Sequence, residues 1–202
     1  MKLIEDIAAL EEIYDRAPAP AAMRKVAGQM TPHYRKWIMS ARFCILSTVG
    51  PEGTDASPRG DDGPAVLELD PSHLAMPDWR GNNRIDSLRN IVRDGRVSLM
   101  FMVPGSANVV RVNGRAVLTD DPDIVARFER KGQHPRSVIV VEIAEIYSQC
   151  ARAILRADLW NGRDESGGLP TIGDILTEMT EGEFDGKSYD ADWPQRARDS
   201  LW

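Results

Sequence analysis

The feature that most limits the fold of this chain is a series of short apolar segments joined by turn residues. Phe43–Val49 is followed by the turn residues 50–53, and a second turn at 60–63 follows a return segment. The strand candidates are 43–49, 55–59, 65–69, 73–76, 97–103, 109–118 and 138–147. This order lacks the regular strand–helix alternation of a doubly wound sheet. It favours a mainly β protein, a largely antiparallel barrel of about six strands.

Helical patterns surround these strands. Apolar residues at helical spacing predict a first helix within 3–14, and Thr31 with Pro32 predicts an N-cap and first helical position for a helix over about 31–40. Further helices are predicted from Asn83 to Arg93, near 121–122 and over 172–179. We therefore expect an N-terminal helical extension over 1–41, a barrel over 42–160 and an acidic, partly helical tail over 161–202.

Composition limits the partners. The 202 residues suit one domain with extensions, and the net charge of −6 argues against a nucleic-acid partner. No apolar run reaches the roughly 20 residues that span a bilayer, and the first residues do not read as a signal peptide. Cys44 and Cys150 have no paired spacing and are expected to be buried free thiols. We expect a cytoplasmic protein without a membrane partner.

The turn from Arg80 to Arg84 is the most informative local feature. It leaves a strand and opens a predicted helix, whose free N–H groups and partial positive charge favour a phosphate. Gly81 permits close approach of the backbone, the two asparagines can cap the helix, and the arginines offer forked donors. A plain capped helix with solvated arginines explains the same residues equally well.

Other chemistries have less support. The three histidines, His33, His73 and His134, are far apart, so no metal site is predicted. No serine nucleophile elbow and no glycine-rich nucleotide loop of the Walker or dinucleotide type occurs. No catalytic residue can be assigned, and any reaction is expected to depend on a cofactor that brings its own chemistry.

Four ordered motifs point to a family. They are Ser57-Pro58-Arg59-Gly60-Asp61, Pro77-Asp78 leading into Gly81–Ser87, Arg111–Ala116, and Cys150–Ala153 with Arg156 and Leu159-Trp160. Over about residues 10–160 the chain resembles the pyridoxamine 5′-phosphate oxidase-like, FMN-binding split-barrel proteins, and within them the branch described only as FMN-dependent enzymes. The resemblance implies a six-stranded antiparallel split β-barrel with flanking helices.

The resemblance also implies a cofactor, FMN, and a site for it. The strand holding Ser57 and Arg59 would run beside the flavin ring, and Met76 and Asp78 would line the ribityl chain. Residues Asn82, Asn83, Arg84 and Ser87 would hold the phosphate, and Arg111 would approach the cofactor. Arg152 and Arg156 would come from the second subunit of a homodimer with FMN at the interface.

Departures from the family pattern limit the functional prediction. The oxidase's phosphate motif has a lysine where Ile85 stands, so one cation is missing, and Arg59 or Arg152 would have to compensate. No segment matches the oxidase's C-terminal substrate-binding region, so pyridoxamine phosphate is not supported as the substrate. The expected function is an FMN-dependent oxidoreductase acting on a small molecule. The alternatives are a flavin-binding carrier, sensor or electron-transfer protein, and a barrel for deazaflavin or haem.

Overall fold

The computed structural model describes residues 1–14 and 16–201. Asp15 and Trp202, which belong to the predicted terminal segments 1–41 and 161–202, lie outside the described residues. The helices are α1 (Ile7–Ile13), α2 (Pro20–Arg24), α3 (Pro32–Ile38), α4 (Asp86–Arg93), α5 (Pro122–Val125), α6 (Arg152–Ala157), α7 (Ile172–Met179) and α8 (Gly186–Asp199). The strands are β1 (Phe43–Gly50), β2 (Gly53–Gly60), β3 (Leu67–Asp70), β4 (His73–Asp78), β5 (Arg96–Met102), β6 (Val109–Thr119) and β7 (Ser137–Gln149).

The strands form one antiparallel sheet in the order β2-β1-β5-β6-β7-β4-β3. The predicted antiparallel, mainly β fold with flanking helices is confirmed, but over the described residues the sheet has seven strands instead of six. The shortest strand is the four-residue β3, which overlaps the candidate 65–69 and pairs with β4 in a short hairpin.

The longest ladder joins β6 to β7, and its register shifts between Asn113 and Gly114. At this shift the backbone of β7 lies very close to Gly114. A Cβ atom added there would be 1.9 Å from the carbonyl oxygen of Glu142. The glycine in the motif Arg111–Ala116 is therefore required by the contact between the two strands.

One face of the sheet forms the core. Inward residues alternate along the central strands, with Leu46 on β1, Leu99 and Phe101 on β5 and Val112 on β6 fully buried. This alternation is the strand period that the sequence predicted. Burial of these apolar side chains contributes most of the free energy that stabilises the closed form of the sheet.

The edge strand β2 departs from this apolar pattern. Asp55, Ser57 and Arg59 pair with Thr48, Leu46 and Cys44, and residues directly opposite in an antiparallel pair share a face. The inward face of β2 is therefore polar, whereas the neighbouring inward face of β1 is largely apolar.

The curled sheet has a gap between β2 and β4. Among the described residues, no backbone ladder joins these two strands. The guanidinium of Arg59 instead reaches across and donates to the carboxylate of Asp78 at 2.6 Å. The gap is thus bridged by side chains, and it leaves room between the strands.

The predicted starts of α3, α5 and α7 are correct, and the predicted start of α4 is wrong. Thr31 caps α3, and its Oγ1 accepts from the Tyr34 N–H at 3.3 Å. The prediction that an asparagine caps α4 is wrong, since that helix begins at Asp86 without a side-chain cap. Asn82 instead accepts from the Arg84 N–H at 2.9 Å, and Asn83 has a left-handed φ of 60° that ends any helical continuation.

The terminal helices contribute little to the core. None of the residues of α1 is buried, and α7 packs mainly on α8, where Gly173 and Gly186 allow close backbone contact. Cys44 is buried as predicted, but the prediction for Cys150 is wrong because it is exposed in the connection after β7. None of the described helices has the length and apolarity needed to cross a bilayer.

Candidate functional site

The gap between β2 and β4 opens into a cavity of about 560 Å³. Its walls are β2, the end of β4, the loop 79–85 and the first turn of α4, and Arg136 and Ser137 close one side. Ala65, Met76 and Leu88 supply apolar surface. This volume and the mixture of apolar surface with a few polar groups are typical of small-molecule sites.

Eight of the eleven predicted binding residues line this cavity. They are Ser57, Arg59, Met76, Asp78, Asn82, Asn83, Arg84 and Ser87. The other three predicted residues, Arg111, Arg152 and Arg156, do not line it. Arg111 lies on β6 with its guanidinium 5.4 Å from the ring centre of Tyr147, whereas Arg152 and Arg156 are exposed on α6.

Arg59 has the most unusual environment in the cavity. Its side chain is only 18% exposed, and one of its terminal nitrogens is paired with Asp78. Its Nε atom is buried and has no hydrogen-bond partner among the described residues. A buried unpaired donor is costly, by about 1–3 kcal/mol. An acceptor from a bound ligand would remove that cost.

Two residues predicted to hold the phosphate, Arg84 and Ser87, already contact carboxylates in the structure. Arg84 Nε donates to Asp86 at 2.6 Å, and this contact raises the pKa of the Arg84 guanidinium. Ser87 is almost fully buried, and its hydroxyl donates to Asp55 on β2. The Arg84 pair is at the surface and weak, because exposed ion pairs stabilise by about 0–1 kcal/mol. Arg84 is thus readily available to a ligand, whereas Ser87 mainly joins α4 to β2.

Arg136 contacts the turn between β4 and α4 from another part of the cavity wall. Arg136 donates to Asn83 Oδ1 at 3.2 Å, next to the strained left-handed backbone of that residue. Arg136 forms no ion pair with a carboxylate among the described residues, which makes it a second cation beside the turn.

Sequence reasoning missed Asp55 and Arg136. Both lie far along the chain from the turn that they support, and no local motif contains them. Asp55 lies one strand period before Ser57 on the same face, so the pairing of β1 with β2 is the signal that would have located it. No comparable signal exists for Arg136.

The electrostatic balance of the cavity is weakly positive. Four arginines and three aspartates line it, a net of one positive charge in a chain whose net charge is −6. The first turn of α4 adds backbone N–H groups that no side chain caps. The cavity therefore suits a ligand with a small anionic group.

The family model described as pyridoxamine 5′-phosphate oxidase matches residues 30–150. This match covers more than half of the chain and includes β2, β4 and α4. The chain belongs to this family. The match also contains every residue of the cavity named so far, so the site lies within the part of the chain that the pyridoxamine 5′-phosphate oxidase family shares.

Other comparisons are more distant. No curated protein matches the sequence. Among solved structures, HupZ of Group A Streptococcus is 16% identical with a TM-score of 0.48, covering 59% of this chain and 93% of its own. General stress protein 26 of Bacillus anthracis is 17% identical with a TM-score of 0.43, covering 56% and 88%. An FMN-binding protein of Syntrophomonas wolfei is 14% identical with a TM-score of 0.42, covering 57% and 88%. These low similarities add no argument about a ligand to the family assignment.

Proposed function

We propose that this protein binds FMN in the cavity between β2 and β4 and acts as an FMN-dependent oxidoreductase on a small molecule. The observation that carries the proposal is Arg59, whose buried Nε has no partner beside a cavity of about 560 Å³. Membership in the pyridoxamine 5′-phosphate oxidase family supports the choice of a flavin nucleotide among the ligands that such a cavity accepts.

The end of the cavity near α4 suits the phosphate of FMN. Arg84 can exchange its exposed contact with Asp86 for a phosphate oxygen at little cost, and Arg136 lies across the turn as a second cation. The uncapped first turn of α4 supplies N–H donors. Arg136 takes the place of the cation that is missing from the oxidase-like phosphate motif.

The end of the cavity near β2 suits the flavin ring. Met76 and Ala65 provide buried apolar surface, and Ser57 and Arg59 provide polar contacts along one edge. When bound, FMN supplies the redox chemistry. The chain's own residues bind the nucleotide, orient its ring and exclude water from it. Arg59 would in addition offer its unpaired Nε–H to an acceptor of the bound nucleotide.

A non-catalytic carrier, sensor or electron-transfer protein is the second candidate, and one observation favours it. The described lining contains no histidine, cysteine, tyrosine or lysine, and its three aspartates already pair with Ser87, Arg59 and Arg84, so few of the usual proton donors and acceptors of enzymes are available. Anaerobic mixing with NADH and NADPH separates the two candidates. Bleaching of the flavin by either donor supports the oxidoreductase, and no bleaching by both favours the carrier.

The partner that we propose is a second copy of the chain, with Arg152 and Arg156 acting on the flavin of the other subunit. A seven-residue helix is not stable alone in water, yet α1 buries none of its residues. On α6, Leu155 is 65% exposed beside the two arginines. A second copy would cover both surfaces. We expect light scattering to give twice the chain mass, and a monomer that still carries full flavin would contradict the role of the two arginines.

Flavin binding is tested directly by titrating the purified protein with FMN. We expect quenching of flavin fluorescence with a shifted visible spectrum and a stoichiometry of one FMN per chain. A colourless protein that takes up no added FMN would overturn the proposed function in both of its forms.

The position of the phosphate is tested with Arg84→Ala. Loss of one charge-assisted contact corresponds to about a tenfold loss of FMN affinity, after allowance for the contact with Asp86 that is lost as well. Arg93→Ala is the matched control, because Arg93 lies on the same helix and pairs with Glu52 outside the cavity. Equal FMN affinities for the two variants would refute this position.

A further inference from the structure

Asp61 is a buried carboxylate at the gap between β2 and β4. It follows directly on the last residue of β2, and its side chain is 3% exposed. Its Oδ2 accepts from Trp79 Nε1 at 3.0 Å, and its Oδ1 accepts from Arg130 Nε at 2.9 Å. Asp61 thus joins three segments that are distant in the sequence.

Two of these segments are the opposite walls of the cavity. Asp61 extends the β2 wall, and Trp79 is the first residue of the loop 79–85 after β4. The neighbouring contact between Arg59 and Asp78 crosses the gap at the same level. These two side-chain contacts, together with the one between Ser87 and Asp55, join the walls in place of a backbone ladder. Asp61 itself does not line the cavity.

The contacts of Asp61 favour its charged form. Burial raises the pKa of Asp61, but its hydrogen bonds, including those from Trp79 and Arg130, outweigh that effect, and the pKa lies below the ordinary value for aspartate. A charged acceptor binds its donors more tightly than a neutral one. At neutral pH the connection between the two walls is therefore a strong one.

We propose that Asp61 is a positioning residue for the flavin nucleotide, because its hydrogen bond to Trp79 sets the width of the cavity before the ligand binds. This inference rests on the proposed function. A site held in its bound geometry loses less entropy when the ligand enters, so fixed walls raise affinity without a direct contact. Arg130 keeps Asp61 in place from the side of α5 and β7.

The test measures FMN affinity in Asp61→Ala, in Trp79→Phe and in the double variant. Phenylalanine retains an aromatic ring but lacks the N–H that donates to Asp61. We expect each single variant to bind FMN about tenfold more weakly, the loss associated with one hydrogen bond to a charged group. Alanine lacks the acceptor and phenylalanine lacks the donor, so both changes remove the same hydrogen bond. The double variant should therefore also bind about tenfold more weakly, instead of the roughly hundredfold expected for independent effects.

Glu68→Gln is the matched control. It breaks the ion pair between Arg35 and Glu68, which is held by two hydrogen bonds of 2.6 Å and lies outside the cavity. We expect this variant to be less stable than the parent while its FMN affinity is unchanged. If Glu68→Gln also binds FMN more weakly, a loss of stability alone is enough to weaken binding. The effect of Asp61 would then be explained by stability, and the proposal would be overturned.

The outcomes distinguish this inference from the proposed function. If the parent binds FMN and Asp61→Ala binds it within twofold, or if the effects of the two single variants multiply, the role of Asp61 is refuted while flavin binding stands. If the parent takes up no FMN, the proposed function fails, and the positioning role fails with it.

Discussion

Replacing Gly114 with alanine tests the register shift between β6 and β7. The added Cβ would lie 1.9 Å from the carbonyl oxygen of Glu142 and 3.0 Å from its carbonyl carbon. An ordinary contact between carbon and a carbonyl oxygen is about 3.3 Å or more. The two strands would have to separate by more than about 1 Å at this point. The carbonyl oxygen and carbon of Glu142 are backbone atoms, so they cannot move aside as the end of a flexible side chain would.

The expected loss of stability is large because the contact lies within the longest ladder of the sheet. Overpacking of this kind costs about 1–3 kcal/mol, and each ladder hydrogen bond that is lost costs about 1 kcal/mol more. We expect a decrease of about 3 kcal/mol in the free energy of unfolding. For a chain of this length, the corresponding fall in Tm is about 6–12 °C.

The assay is chemical denaturation followed by circular dichroism, with Gly81→Ala as the control. A Cβ at Gly81 would meet no atom within 4 Å, and this glycine is not in the left-handed region. Gly81→Ala should therefore leave stability unchanged or raise it by about 0.4–1 kcal/mol. If Gly114→Ala unfolds within about 0.5 kcal/mol of the parent, the close approach of β7 to Gly114 is refuted.

Two further predictions concern ionisable groups. Burial raises the pKa of the Cys44 thiol to about 12, so this thiol should be unreactive in the folded protein. In a Cys150→Ser variant, which lacks the exposed thiol, a thiol reagent should therefore react only after denaturation. Rapid reaction of the folded variant would contradict the buried position of Cys44. The pKa of Asp61 is lower in the folded protein than the ordinary aspartate pKa of about 3.9. The charged carboxylate therefore stabilises the fold at pH values above about 3.9, and this stabilisation is lost as the pH falls below that value and through the lowered pKa. Denaturation at a series of acid pH values should give a shallower loss of stability for Asp61→Asn than for the parent, and equal slopes would count against this linkage.

Local patterns in the sequence predicted the elements of the fold better than their junctions. Alternating apolar residues located the strands, and Thr31 with Pro32 located the start of α3. The predicted start of α4 is too early, because the side chain of Asn82 accepts from the Arg84 N–H and Asn83 turns left-handed. Such competition between a turn and a helix depends on backbone geometry that residue types alone do not determine.

The candidate site, too, was predicted well within local motifs and poorly where distant segments meet. The wall residues from Ser57 to Ser87 belong to contiguous motifs, and the structure brings them together in one cavity. The contacts that complete the walls come from elsewhere, with Arg136 52 residues beyond Arg84. Pairing across the sheet and the curling of its ends bring such residues together, and neither leaves a periodic signal in the sequence. The proposed contact of Arg152 and Arg156 with FMN requires a second chain, and the sequence of one chain carries no signal for it.

The polar, gapped edge at β2 has a consequence for association between molecules. Outer strands of a sheet present unpaired backbone groups that can recruit a strand from another chain and begin aggregation. Pro58 lies within β2 and has no N–H to offer, while Asp55 and Arg59 place charges along the same strand. The other outer strand, β3, is only four residues long. Both outer strands of the sheet, including the one that forms a wall of the cavity, are therefore poor templates for fibril growth.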